Sequence, residues 1–90
     1  LNVEENNLIA EDVKVYPIPF KDYLFVSIPN SIQQIDLSIY DLSGKLIYTR
    51  IHQVINNKVV INTQELRTGN YFIKINDNKG NVISKQVIKQ

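Results

Sequence analysis

Ninety residues, 43% hydrophobic and 21% charged, make one small globular domain, too short for two cores and too apolar for a disordered segment. The absence of cysteine excludes a disulfide framework or a thiolate metal site, so packing has to hold the core together. A net charge of +1 argues against a nucleic-acid partner, and no apolar run approaches the roughly 18 residues of a transmembrane helix.

Residues 1–12 lack sustained periodicity and carry Glu4, Glu5, Glu11 and Asp12 with no basic residue, a segment charge of −4. They read as a linker, and residues 13–90 as the domain. The chain starts at Leu1 with no basic-then-apolar leader and contains no methionine, so it is expected to be a piece of a longer polypeptide. Val13-Lys14-Val15-Tyr16 alternates until Pro17 and Pro19 stop it, because each proline removes a ladder donor. Tyr23 to Ile28 follows, with Leu24, Val26 and Ile28 on one face and Tyr23, Phe25 and Ser27 on the other. Pro29-Asn30-Ser31 is a turn.

Ile35 to Tyr40 is the clearest strand, with Ile35, Leu37 and Ile39 at a period of two. Asp41-Leu42-Ser43-Gly44 reads as a type I turn whose glycine takes the left-handed position of a bulged hairpin. Lys45 to Ile51 returns, with Leu46 and Tyr48 expected on one face against Ile47 and Thr49. After the polar Asn56-Asn57 pair, Lys58 to Ile61 is a short strand. Thr63 to Leu66 is long enough for a single helical turn only. Tyr71 to Ile75 and Val82 to Lys89 are the last strands, joined by a loop over residues 76–81. About seven short strands with turn signals every 8–12 residues predict an all-β, immunoglobulin-like Greek-key sandwich. Gly69-Asn70-Tyr71 after the Leu66 corner is placed for a tyrosine corner, the hydroxyl bonding back across the preceding bend.

Catalytic chemistry is hard to assemble from these residues. His52 is the sole histidine, no Gly-x-Ser-x-Gly elbow accompanies it, and it reads as a solvent-exposed loop residue. One histidine without cysteine cannot make a zinc site. Asp77 to Asn81 has the residues of a hairpin turn, and Lys79 would put a cation among the ligands of a calcium loop. Asp41 and Glu65 lie at turns, with nothing to set them across a cleft. Tyr16, Tyr23, Phe25, Tyr40 and Tyr48 could line a sugar-stacking face, although aromatic residues are also favoured cross-strand partners. No enzyme and no cofactor are expected.

Four segments, taken together, form a pattern. They are Val15-Tyr16-Pro17-Ile18-Pro19-Phe20, Ile39 to Ile47 around Asp41 and Gly44, Leu66 to Ile75 around Gly69 and Tyr71, and Lys85-Gln86-Val87-Ile88-Lys89-Gln90. In order and spacing they resemble the C-terminal sorting domain of type IX (Por) secretion system cargo proteins, over residues 13–90. The family usually has asparagine between the two prolines, where this chain has Ile18.

The resemblance implies a non-catalytic secretion signal that takes an upstream cargo domain through the periplasm and across the outer membrane of a Gram-negative bacterium to the cell surface. It implies recognition by the outer-membrane translocon and, typically, removal by a sortase-like surface protease that cuts in or near the acidic linker. The motif positions it marks are Tyr16, Pro17, Pro19, Asp41, Gly44, Gly69, Tyr71, Lys85, Val87 and Lys89. On this reading the final strand is a free edge whose lysines guide pairing with a partner strand. The alternative is a carbohydrate-binding or fibronectin-like accessory module of a secreted enzyme or adhesin.

Overall fold

The structure, a computed structural model, describes residues 12–29, 32–77 and 79–90. The linker expected over residues 1–12 falls outside these except for Asp12, and so do Asn30 and Ser31 of the expected turn. Seven strands appear: β1 (Lys14–Tyr16), β2 (Tyr23–Ser27), β3 (Gln34–Asp41), β4 (Leu46–Gln53), β5 (Lys58–Asn62), β6 (Gly69–Asn76) and β7 (Val82–Lys89). They form two antiparallel sheets, one ordered β1-β2-β5 and the other β4-β3-β6-β7. This is the immunoglobulin-like crossover pattern with the fourth strand in the larger sheet.

Alternation places the core. Val15, Leu24, Val26, Val59 and Ile61 point inward from the smaller sheet, and Ile35, Leu37, Ile39, Tyr71, Ile73, Ile75, Ile83 and Val87 answer from the larger one. A one-residue slip in any strand would turn its whole apolar row outward, so burial pins the register. Each fully buried leucine or isoleucine contributes about 1.5–3 kcal/mol through water removed from its surface.

Residue chemistry explains the turns. The Asp41 carboxylate accepts from Ser43 N at 2.9 Å, Ser43 Oγ at 2.6 Å and Lys45 N at 3.0 Å, while Gly44 sits at φ +90°. Asn56 and Asn57 take φ values of 54° and 63°, as a tight two-residue turn demands, and close the Ile55–Lys58 bridge. Asp77 is buried in the β6–β7 hairpin, where its carboxylate accepts from Lys79 N at 2.7 Å and from Asn81. Thr63 to Leu66 is one turn closed by Leu66 N on Thr63 O, and goes no further toward a helix. Both Tyr16-Pro17 and Ile18-Pro19 peptide bonds are cis.

Strand β4 departs from the sequence expectation in two ways. The register shifts so that Ile39 faces Tyr48 but Tyr40 faces Leu46. The extra residue flips Leu46 to the opposite face from Tyr48, against the expected pairing of those two. The strand also runs on to Gln53, which corrects the placement of His52. It is a strand residue, half-buried, with Nε2 hydrogen-bonded to the Tyr48 hydroxyl at 2.7 Å. Tyr48, Arg50 and His52 share the inner face because they oppose Ile39, Leu37 and Ile35.

The tyrosine corner is present. Tyr71 is 7% exposed and its hydroxyl donates to Arg67 O at 2.7 Å. Replacing Tyr71 with Phe leaves the ring in place and removes one neutral hydrogen bond, so about 1 kcal/mol of stability should be lost. A thermal melt should then fall by about 4–8 °C; an unchanged midpoint would mean that the hydroxyl does not brace the corner.

Candidate functional site

Four segments far apart in sequence meet at one end of the sandwich. Across the larger sheet, Asp41 pairs with Tyr71 and Tyr71 with Val87, and one step on, Gly69 pairs with Lys89. Phe20, which follows the two prolines, bonds to the outer side of β7: Phe20 N donates to Ile88 O at 2.8 Å, and Gln90 N donates to Phe20 O at 2.8 Å. The proline segment belongs to the smaller sheet and β7 to the larger. Phe20 therefore ties the two layers together through backbone.

Lys89 fastens the same end. Residues Ile83, Lys85, Val87 and Lys89 lie on the inward face of β7, and Lys89 is only 7% exposed. Its ammonium donates to Lys21 O and to Thr63 O, the latter at 2.8 Å, and lies 5.8 Å from the centre of the Phe20 ring. Thr63 is buried too; its hydroxyl donates to Lys21 O at 2.9 Å and its N–H to Asp22 O at 2.8 Å. A buried ammonium is stable only where acceptors replace its water, and here two carbonyls and a π face do so.

The structure thus brings Asp41, Gly69, Tyr71, Val87 and Lys89 into one region, with Gly44 in the adjoining turn. Tyr16, Pro17 and Pro19 lead into it, and Tyr16 lies on the outer face of the smaller sheet with its ring 5.5 Å from that of Phe25. Lys85 stands farther along β7, opposite Ile73 and half-buried. The edge expected to be free is occupied at its end by Phe20, and Lys89 turns inward rather than along that edge. Sequence reasoning missed Phe20, Lys21 and Thr63 as partners of this lysine. The available signal was parity: a lysine in the apolar register of Ile83 and Val87, which requires an acceptor beneath it.

A second feature is a cleft of about 540 Å³ between β4 and the corner after β5, lined by Tyr48, Arg50, His52, Ile61, Glu65 and Leu66. Loss of water around His52, and secondarily the nearby Arg50 charge, holds its pKa below the usual histidine value; burial raises that of Tyr48. The ring is therefore held neutral. Among the described residues no group of three His, Cys, Asp or Glu side chains could hold a metal ion.

Residues 14–90 match the family described as the secretion system C-terminal sorting domain. The chain belongs to that family. It is also 30% identical over 89 residues to an endo-acting ulvan lyase of Formosa agariphila, covering 98% of this chain. The chain spans 17% of the length of that relative. The sorting domain is a non-catalytic signal of the type IX secretion system: it engages the secretion machinery and sends attached cargo to the cell surface or beyond. No helix among the described residues is long and apolar enough to cross a membrane.

Two outcomes follow for this end of the sorting domain. Lys89→Met keeps the apolar stem but strips the ammonium from two buried carbonyls, and chemical denaturation should show a loss of about 2 kcal/mol; wild-type stability would remove the clasp. Hydrogen bonds from Ser43 and Lys45 hold the Asp41 carboxyl below its ordinary pKa. Its stabilisation is complete above an unfolded value of about 4 and disappears as pH falls through the lower folded value. The stability gap between wild type and Asp41→Ala should therefore narrow below about pH 4, and a gap that persists at pH 2 would contradict this.

Proposed function

We propose that this sorting domain is read as a folded object at the end where its four motif segments converge. The outer-membrane translocon is the proposed reader, and the observation that carries the reading is that convergence. The ten motif residues divide by role. Tyr71, Gly69, Asp41, Gly44, Val87 and Lys89 hold the end in shape, whereas Tyr16, Pro17, Pro19 and the half-buried Lys85 offer surface beside it. Ile18, in the place where the family usually has asparagine, is exposed in the same stretch and adds an apolar contact in place of an amide.

Residues 1–12 are proposed as the linker to the cargo and residues 13–90 as the sorting unit. A sortase-like surface protease is proposed to cut in or near that acidic segment, since a chain without a core of its own enters a protease cleft without unfolding anything. The cargo's own activity is a separate matter from the domain's.

The test is a reporter carrying residues 1–90 behind a Sec signal in a host with a type IX system. Surface delivery is expected, with mass spectrometry placing the new reporter C-terminus within or near residues 1–12. Deleting Val87 to Gln90 should abolish export. Intact, folded wild-type fusion retained in the periplasm would sink the proposal.

A carbohydrate-binding accessory role is the second reading. One observation favours it: Tyr16, Tyr23 and Phe25 share the solvent face of the smaller sheet, with Tyr16 and Tyr23 exposed. Pull-down on insoluble polysaccharide, lost in Tyr16→Ala and Tyr23→Ala, would support it over the sorting role alone.

A further inference from the structure

The four sheet edges are not equally protected. Strand β1 has three residues and ends at the prolines, β5 has five, and β7 is overlaid at its end by Phe20. Strand β4 has eight residues, only β3 beside it among the described residues, and no lysine, proline or acidic residue. Leu46, Ile47 and Ile51 on it are 48, 41 and 57% exposed. The bulge at Ile47 and the inward Arg50 guard part of this edge, and the stretch beyond the bulge is left open as a template for another strand.

The orientation of its backbone follows from one bond. Val54 N donates to Gln33 O at 2.9 Å, so the pairs at intervals of two, His52–Ile35, Arg50–Leu37 and Tyr48–Ile39, direct their groups at β3. Thr49, Ile51 and Gln53 then present N–H and C=O to the open side. Consider a second β4 laid antiparallel with Thr49 opposite Thr49. Both threonines offer their groups, and Tyr48 meets Arg50 on the inner face, while the bulged Ile47 stays in the cleft beside Tyr48. The cation–aromatic pair occurs twice, once on either side of the axis. Centring on Arg50 instead opposes two guanidinium groups, and centring on Ile51 puts Arg50 against His52.

We propose that β4 is a self-pairing edge through which two copies of this chain form a twofold dimer centred on Thr49, joining the two four-stranded sheets into one. A ladder that reaches no further than Leu46 to His52 makes a small interface, so the association is weak and concentration-dependent.

The absence of native cysteine makes the geometry directly testable. Hydrogen-bonded antiparallel partners lie about 5.5 Å apart between Cα atoms, within disulfide range. In the 90-residue chain, Thr49→Cys should give a disulfide dimer under mild oxidation. Ile88→Cys, equally exposed on the far edge, is the control for random collision. Sedimentation equilibrium on the order of 10 µM to 1 mM should show a monomer–dimer equilibrium weakened at least about tenfold by Thr49→Lys, whose melting curve checks that it folds. Thr49→Cys crosslinking no faster than Ile88→Cys, a monomer throughout that range, or a dimer indifferent to Thr49→Lys would each overturn the proposal.

Discussion

The two sheets share no strand, and what keeps them from parting at the end where the motif segments meet is a lysine ammonium turned inward. Lys89 reaches from the inner face of β7 to carbonyls of residues 21 and 63, which lie side by side where β2 begins and β5 ends. Phe20 adds two backbone bonds to the outside of the same strand. A chain of this size buries only about 60% of its extended surface, so such ties weigh heavily against a modest total stability. The corner tyrosine, the Asp41 turn and the glycine at position 69 all pack around the place they secure.

This arrangement changes what the family's sequence motif means physically. Conventional reading of a signal looks for side chains offered to a receptor. Here most of the marked side chains are spent on building one end of a sandwich, and what remains outside is a shape: the proline segment, a tight turn and the outward half of a final strand. On the proposed reading, recognition of that shape demands a folded domain and tolerates wide variation at exposed positions. That accords with 30% identity to a lyase chain in which the matched portion is 17% of the whole.

Most of the fold was legible because period-two alternation survives in seven short segments and the turns use the residues that turns require. Asp41, Gly44, Asn56 and Asn57 announce their geometry through side-chain acceptors or positive φ. The tyrosine corner was legible for the same local reason, a hydroxyl four residues from its acceptor. What escaped was non-local. A one-residue bulge in β4 reverses which side chains point inward, and no propensity marks it. His52 seemed a loop residue because the strand continues past its last aliphatic. Lys89 looked like a guide on a free edge because charge predicts exposure, whereas the acceptors that bury it lie 26 and 68 residues away. None of the five aromatic residues considered as a platform enters the core, although Tyr48 leans against it.

The long reach of that clasp also sets an order of events. During synthesis the first two strands emerge well before Lys89, the group that fastens their end of the sandwich to β7. The sandwich can shut only once the ribosome has passed the final strand, by which time anything encoded ahead of it has been made. On the proposed reading, in which the closed end is the sorting mark, that mark doubles as proof of complete translation, and prematurely terminated cargo lacks it.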